Sequence, residues 1–262
     1  MRRNLILVFV LFLFASTVNA QNDTMYVMKK GNILGKFKVS DVDSIIFFQP
    51  QIYPTFTDSR DSNVYQTVTI GNQIWMAENL KYLPIVGPDS SKQSTFVVYN
   101  YKGTNVAEAK ATFNYNTYGV LYTWETAMNG APSSSANPSG VQGVCPSGWH
   151  LPSDAEWTQL TNYLGGESVA GGKLKEIEFT HWISPNSNAT NEKGFTALPG
   201  GEWVTIGDRS LSMMMGRGGY WWSATDKSTL DAWLWFIYYN RRDLSGVPNS
   251  MKDGFSVRCV KD

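Results

Sequence analysis

The chain has 262 residues, of which 22 are Lys or Arg and 22 are Asp or Glu, and it contains 10 Trp, 13 Tyr and 13 Phe. Without its first 20 residues, which hold two basic residues and no acidic one, the charge is 20 − 22 = −2. A near-neutral chain lacks the basic surface that phosphate binding requires, so nucleic acid is excluded as an expected partner.

Residues 1–20 have the pattern of a secretory signal peptide. Arg2 and Arg3 precede an apolar run over residues 5–15, and Ala20 ends a small-residue cleavage signature. The run is shorter than the roughly 20 residues that span a bilayer. We therefore expect export to the periplasm, the cell surface or the extracellular space, with no membrane span after cleavage.

Two short segments follow the predicted signal peptide. Residues 21–48 predict a small strand-rich segment, with two strands around Gly31-Asn32, one helical turn from Ser40 and a third apolar strand. Residues 49–63 contain two prolines and several Ser and Asp residues, which predict a linker.

The main domain is predicted over residues 64–262. Strands at 65–70 and 73–77 flank Gly71-Asn72 and predict a hairpin. A helix is predicted over about 118–128 from apolar spacing, and a second from Ser153, which forms a capping box with Glu156. Four later strands are predicted at 195–198, 220–224, 232–239 and 255–260. This order predicts an α+β domain with two helices and a curled antiparallel sheet.

Cys145 and Cys259 are the only two cysteines. In an exported chain an isolated pair is expected to form a disulfide, which leaves no free thiol for catalysis. A local Ser147–His150–Asp154 triad is the catalytic alternative, but the nucleophile elbow of such enzymes is missing from the sequence. The pattern assigns no role to His150.

Six motifs resemble those of one family, the Fibrobacter succinogenes major paralogous domain, in the family's own order. They are residues 68–80, 118–124, 145–157, 194–195, 220–224 and 254–259. The resemblance covers about residues 64–261 and implies a C-type-lectin-like fold in an exported, surface-associated module. Residues 39–47 are similar to a leader segment on exported proteins of Bacteroidetes-type bacteria.

The chain departs from the better-known relatives of that fold. It lacks the Glu-Pro-Asn, Gln-Pro-Asp and Trp-Asn-Asp triplets of calcium-dependent sugar-binding lectins. Formylglycine-generating enzymes, to which residues 151–157 are also similar, use a close redox cysteine pair that this chain does not have. No cofactor is predicted. Calcium stays an alternative, because Asp226, Asp231, Asn240 and Asp243 supply oxygen donors without a recognised spacing.

Aromatic residues alternate through the predicted strands, so some of them face outward, unless both faces are covered by the core. Outward rings could stack on sugars or pack against a partner. The predicted ligand-binding residues are Glu202, Trp203, Trp222, Asp226, Trp233, Tyr239, Asn240, Arg241 and Arg242.

We expect a non-catalytic recognition or adhesion module for a glycan or a surface or matrix protein. The alternatives are a polysaccharide hydrolase that uses Glu202 with a partner carboxylate, and a purely structural surface or assembly component.

Overall fold

The computed structural model describes residues 24–29, 31–42, 53–177, 179–207 and 209–262. The predicted signal peptide and the predicted third strand of the N-terminal segment lie outside these residues. The chain divides into two compact units, Met1–Ile52 and Tyr53–Asp262. Within the described ranges, no helix is both long and apolar enough to cross a membrane.

The first unit contains an antiparallel hairpin. Strands β1 (Thr24–Lys29) and β2 (Asn32–Lys38) pair with a register shift after Val27. Gly31 occupies the turn at φ +80°, a conformation that costs a glycine little. A single 3-10 turn, Val39–Asp41, follows, where one helical turn was predicted.

The second unit is built mainly of short strands. The strands are β3 (Thr55–Thr57), β4 (Val64–Ile70), β5 (Gln73–Met76), β6 (Phe96–Val97), β7 (Leu121–Thr123), β8 (Trp149–His150), β9 (Glu202–Ile206), β10 (Arg209–Met213), β11 (Gly218–Asp226), β12 (Asp231–Tyr238), β13 (Ser245–Ser250), β14 (Gly254–Phe255) and β15 (Val260–Lys261). The helices are α1 (Val106–Lys110), α2 (Phe113–Tyr118), α3 (Trp124–Met128), α4 (Asp154–Tyr163) and α5 (Glu167–Leu174).

These strands form three sheets in the second unit, with orders β3-β4-β5-β15-β8, β10-β9-β14-β7-β6 and β11-β12-β13. The predicted lectin-like α+β fold with two helices and one curled sheet is therefore wrong. The described residues are mostly β, and their five helices are short, the longest having 10 residues. Strands of two or three residues carry too little periodicity to be recognised, and distant pairing defines them instead.

The predicted helix over 118–128 is replaced by the end of α2, strand β7 and the short helix α3. Gly119 ends α2 at φ +78°, and a Cβ there would lie 2.7 Å from the Leu80 carbonyl oxygen. Leu121 and Tyr122 then pair with β6, and Tyr122 and Thr123 pair with β14. The apolar spacing that resembled a helical stripe is therefore that of a buried strand joined to a single helical turn.

Three local predictions are confirmed. The β4–β5 hairpin turns at Gly71, whose φ is +62°. Ser153 and Glu156 form the complete capping box of α4. Cys145 and Cys259 form a disulfide with a Cα–Cα distance of 6.0 Å, which joins the segment before β8 to the segment before β15. By contrast, β3 lies within the predicted linker and pairs with β4, so these residues belong to the sheet.

Aromatic side chains fill much of the core. Trp157 of α4 packs on Trp75 at a ring-centroid distance of 4.7 Å and stacks on Trp235 at 6.2 Å. This cluster joins the first sheet, α4 and β12. A second cluster centres on Trp222, whose ring lies 4.7 Å from that of Phe255. The two clusters cover opposite faces of the β11–β12 pair.

Candidate functional site

Glu202 and Asp253 carry two carboxyl groups held beside one another by strand pairing. Glu202 begins β9, and its neighbour Trp203 pairs with Gly254 of β14. Asp253 immediately precedes β14, and its Oδ1 accepts a hydrogen bond from Thr205 N of β9 at 3.2 Å. The pairing of β9 with β14 thus holds the Asp253 carboxyl at Thr205 of β9, where its charge acts on Glu202 at the start of the same strand.

Burial perturbs both of these carboxyl groups. Burial and, to a smaller extent, the nearby charge of Asp253 together raise the pKa of Glu202 to about 7. The pKa of Asp253 is also raised by burial, which the hydrogen bond from Thr205 only partly offsets. Among the described residues, no group donates a hydrogen bond to the Glu202 carboxyl and no cation pairs with either acid. The pair is therefore partly desolvated without a compensating charge.

Tyr220 of β11 brings a buried hydroxyl group to the same place. Its side chain is 4% exposed, its Oη is closed off from solvent, and the neighbouring Tyr238 side chain hydrogen-bonds with it. A Cβ at Gly218 would lie 2.7 Å from this oxygen, so the missing side chain leaves room for the phenol. Gly218 pairs with Tyr238, and its carbonyl accepts from Gly201 N. The hydroxyl thus lies between the strands of Glu202 and Tyr238.

Two partly exposed rings complete this surface. Phe236 and Tyr238 are two residues apart on β12, so both lie on the same face of the strand. Their ring centroids are 5.1 Å apart. Each also packs on Tyr220, at 6.2 Å and 6.0 Å respectively. We call Glu202, Tyr220, Phe236, Tyr238 and Asp253 the Glu202 patch. It combines hydrogen-bond acceptors with apolar rings, which is the composition of a ligand-binding surface.

A second surface is a shallow polar pocket of about 650 Å³. It is lined by Glu167, Ser168, Ser187, Asn188, Asn240, Arg241, Arg242, Asp243 and Ser245. Buried Lys175 supports its loop, because Nζ donates to the carbonyl oxygens of Tyr238, Tyr239 and Arg241 at 3.3, 3.4 and 2.8 Å. Burial lowers the pKa of Lys175 to about 8.

Residues 68–261, which are 194 of the 262, match the sequence model of the Fibrobacter succinogenes major domain. The chain belongs to the Fibrobacter succinogenes major domain family. The resemblance noted from the six motifs is thereby confirmed at the level of the family. No curated protein and no solved structure is detectably similar to the chain.

Two of the predicted ligand-binding residues lie in the core of this major domain. Trp203 and Trp222 are fully buried, and their Nε1 atoms donate to the carbonyl oxygens of Asp89 and Tyr122. Neither indole presents a face to solvent, so the expectation that they contact a ligand is corrected. Their strands pack on both faces, which is the alternative that the alternating pattern left open.

The other predicted residues separate along the β11–β12 hairpin. Asp226 and Trp233 lie at its turn, where Ser133 Oγ donates to Asp226 at 2.8 Å and Lys227 Nζ lies 5.5 Å from the Trp233 ring centroid. Tyr239 follows the opposite end of β12, and the Asn240, Arg241 and Arg242 loop continues from there. Eight residues of strand span about 26 Å, so these residues do not form one site.

The four oxygen donors of the calcium alternative are divided between the two ends of the hairpin in the same way. Asp226 and Asp231 belong to the turn end of the β11–β12 hairpin, while Asn240 and Asp243 belong to the other end. These four donors therefore cannot share one ion. Over the ranges that the structure describes, no group of three or more His, Cys, Asp or Glu side chains could hold a metal.

His150 is placed by two acids rather than by a triad. Its Nε2 lies 2.8 Å from Glu156 Oε1, and its Nδ1 lies 2.7 Å from Asp262 Oδ1. Asp154, the acid of the triad alternative, instead accepts from Trp235 Nε1 at 2.9 Å. The local triad is therefore not formed.

Sequence reasoning selected Glu202 but missed the other members of the patch. Phe236 and Tyr238 lay in a recognised aromatic run, where their i, i+2 spacing was the available signal. Asp253 and the Tyr220 hydroxyl carried no local signal, since the β9–β14 pairing brings Asp253 toward Glu202 and the hydrogen bond from Gly201 N to Gly218 O brings β11 there.

Proposed function

We propose that this major domain is an exported, non-catalytic recognition module that binds a glycan or a protein through the Glu202 patch. The observation that carries this proposal is the half-buried, unpaired carboxyl of Glu202, which interacts with Asp253 and with Tyr220, the residue on which Phe236 and Tyr238 pack. A partly desolvated acid without a partner costs folding free energy, and proteins keep such groups mainly at functional sites.

The composition of the patch suits both kinds of ligand. Sugar rings and apolar side chains pack against aromatic faces such as those of Phe236 and Tyr238. Hydroxyl or N–H donors of the ligand can then bond to the carboxylates of Glu202 and Asp253. A few fixed polar groups beside apolar surface give orientation and specificity to such a site.

Export is part of the proposal, and two features support it. Residues 1–20 have the charge, apolar run and cleavage pattern of a signal peptide. The Cys145–Cys259 disulfide is a bond typical of oxidising compartments such as the periplasm and the extracellular space. A surface-exposed recognition role requires such a location.

The direct experiment is a combined glycan and matrix-protein array probed with the chain after removal of residues 1–20. Three forms are compared: wild type, Glu202→Gln, and Glu192→Gln as a matched control. Glu192 is exposed, and its side chain forms a 3.5 Å ion pair with Lys173. We expect at least one ligand that wild type and Glu192→Gln bind and Glu202→Gln does not. If wild type binds nothing on the array, the recognition function is contradicted.

A second candidate function is polysaccharide hydrolysis, and one observation favours it. The pKa of Glu202 near 7 keeps a large fraction of this carboxyl protonated at neutral pH, with the carboxyl of Asp253 nearby. A protonated acid and a neighbouring carboxylate are the pair that glycosidases use. Turnover of a polysaccharide panel that Glu202→Gln abolishes, with binding retained, would establish this alternative over simple recognition.

A further inference from the structure

We propose that a groove at the end of α3 binds a short chain of neutral sugar residues. The groove consists of two adjoining pockets of about 650 Å³ and 610 Å³, and both are lined by Asn129, Gly130, Gln142 and Gly143. We call this pair of pockets the Asn129 groove. Each pocket has the volume of a small-molecule site. The inference goes beyond the function proposed above, because no member of the Glu202 patch lines either pocket.

The groove is separate from the Glu202 patch, although both lie on one sheet. Phe96 of β6 lines the larger pocket, and Glu202 begins β9. The strand order is β10-β9-β14-β7-β6, so three strand spacings of about 4.8 Å, or roughly 14 Å, separate the two strands. A ligand in the groove therefore binds independently of Glu202.

The fold fixes the backbone around the groove. Asn129 ends α3 in the left-handed conformation, at φ +49°. Gly143 lies so close to α3 that a Cβ there would clash with the Ala127 carbonyl oxygen, and Val144 N donates to that same oxygen at 2.8 Å. The next residue, Cys145, is anchored by the disulfide. The groove is thus formed before a ligand binds, which lowers the entropic cost of binding.

The charges of the groove favour a neutral ligand. Two of the described residues that line it are charged, Arg60 and Glu125. The Arg60 guanidinium already forms a 2.7 Å ion pair with buried Asp58, so it offers an anion little additional attraction. Glu125 is exposed, where water screens a single carboxylate and weakens its attraction for a cation.

The polar groups of the groove match hydroxyl groups, which both donate and accept hydrogen bonds. Arg60 donates from Nε and Nη2 to Asp58 at 3.0 and 2.7 Å, and from Nη1 to Val144 O at 2.9 Å. These bonds use three of its five N–H donors, so each Nη nitrogen retains one hydrogen for a ligand. The carboxylate of Glu125 accepts hydrogen bonds, and the amide of Asn129 both donates and accepts them.

Aromatic rings supply the apolar part of the larger pocket. Tyr82 and Phe96 line it and are partly buried. The Arg60 guanidinium lies 3.9 Å from the centroid of the Tyr82 ring, so the bonds from Asp58 also hold this stack in place. The C–H faces of a pyranose ring pack on rings and stacked guanidinium groups of this kind, while the hydroxyls at its rim reach the polar groups.

The smaller pocket extends the groove beyond one sugar ring. It is lined by the short side chains of Ser133, Ser134 and Ser139 and by the backbone around Gly140. These groups again combine donors and acceptors without a charge. Because the two pockets share one wall, a chain of two or three sugars fits the groove better than a single sugar.

The test is an NMR titration of the chain, after removal of residues 1–20, with the neutral trisaccharides maltotriose, cellotriose, laminaritriose and mannotriose. Trigalacturonic acid, triglucosamine and acetyl-triserine amide are the anionic, cationic and peptide counterparts. We expect at least one neutral trisaccharide to shift the backbone amides of Asn129, Gly130, Gln142 and Gly143 with a Kd of about 1 mM. This Kd should change by less than about two-fold between low and high salt, since the ligand carries no charge.

Two results of the titration would overturn the inference. One is that no neutral trisaccharide shifts these amides at about 10 mM. The other is that a charged trisaccharide or the peptide binds the groove more tightly than every neutral trisaccharide. Either result leaves the array test of Glu202 unaffected.

A matched pair of variants assigns the binding to the groove. Asn129→Gly removes the amide side chain and keeps the positive φ at little cost, so it should weaken trisaccharide binding about five-fold with a similar melting temperature. Asn100→Gly is the control, because Asn100 is exposed, has φ +57° and lines neither pocket. Asn100→Gly and Glu202→Gln should both bind as wild type does. Unchanged binding by Asn129→Gly, or an equal loss in either of the other variants, would contradict the assignment to the groove.

Discussion

His150 Nε2 lies 2.8 Å from Glu156 Oε1, and both side chains are buried. The contact joins strand β8 to the first turn of α4, because Glu156 Oε2 also accepts the backbone N–H groups of Ser139 and Ser153. Burial opposes the charged form of His150, but the hydrogen bonds and charges of Glu156 and Asp262 outweigh it and raise its pKa. His150 is therefore an electrostatic tie within the scaffold.

This tie predicts a pH-dependent stability. A histidine whose folded pKa is raised stabilises the fold below its unfolded value of about 6.5, and this contribution is lost as pH rises through the folded value. His150→Gln should lower the free energy of unfolding at pH 6 by about 1–3 kcal/mol and flatten its decline toward alkaline pH. Urea denaturation from pH 5 to 9 measures this, with His181→Gln as the matched control. An unchanged slope in His150→Gln would show that the tie does not exist.

Asn79 organises the buried cation of Arg258, which forms no ion pair with a carboxylate among the described residues. Its Oδ1 accepts from Arg258 Nη2 at 2.8 Å and from Trp221 Nε1 at 2.8 Å, and Arg258 Nη1 also donates to Phe195 O. Asn79→Ala leaves the guanidinium charge with one fewer acceptor, so we expect it to destabilise the fold by about 2–4 kcal/mol. Arg258→Met removes the charge itself and should cost less. Thermal and urea unfolding of both variants gives the order, and the reverse order contradicts this account.

Lys175 should make the free energy of unfolding depend on pH in the alkaline range. Burial lowers its pKa from 10.5 to about 8, so between these values the unfolded chain binds the additional proton. The free energy of unfolding therefore gains a rising contribution from about pH 8 to 10.5, of at most about 1.4 kcal/mol per pH unit. Lys175→Met should lack this contribution. Parallel denaturation curves of wild type and Lys175→Met across that range would rule out a perturbed Lys175.

The ionised form of Glu202 should lower the free energy of unfolding. Its pKa is raised from 4.5 to about 7, so the stability of wild type falls as pH rises through this interval. Glu202→Gln should therefore be more stable than wild type at pH 8, by about 1–2 kcal/mol after allowance for solvent screening, and the gain should shrink below pH 6. Residues kept for function often carry such a cost. Melting curves at both pH values, with Glu192→Gln as control, test it. A destabilised Glu202→Gln at pH 8 would contradict an unpaired acid.

Local signals in the sequence predicted local structure correctly. Gly71-Asn72 specified the β4–β5 hairpin because a two-residue turn needs positive φ. Ser153 and Glu156 specified the start of α4 through reciprocal hydrogen bonds three residues apart. The disulfide followed from the cysteine count and the expected compartment. In each case the determining contact is close in sequence or has a single possible partner.

Long-range pairing explains the errors. The apolar spacing around Leu121 fits a helix, yet its strand β7 is defined by β14, more than a hundred residues later. The Glu202 patch likewise depends on contacts between residues that are far apart in sequence. Asp253 reaches Glu202 through the β9–β14 pairing, and the Tyr220 hydroxyl gets its position from the missing side chain of Gly218. No short window of sequence contains Glu202, Tyr220 and Asp253 together.

The most direct test of the account is an NMR chemical-shift map of the chain with the tightest ligand from the array. We predict that the largest shifts fall on Glu202, Tyr220, Phe236, Tyr238 and Asp253, and that Glu202→Gln removes them. Shifts confined to the pocket of Asn240, Arg241 and Arg242, or a map that Glu202→Gln leaves unchanged, would contradict the assignment of recognition to the Glu202 patch.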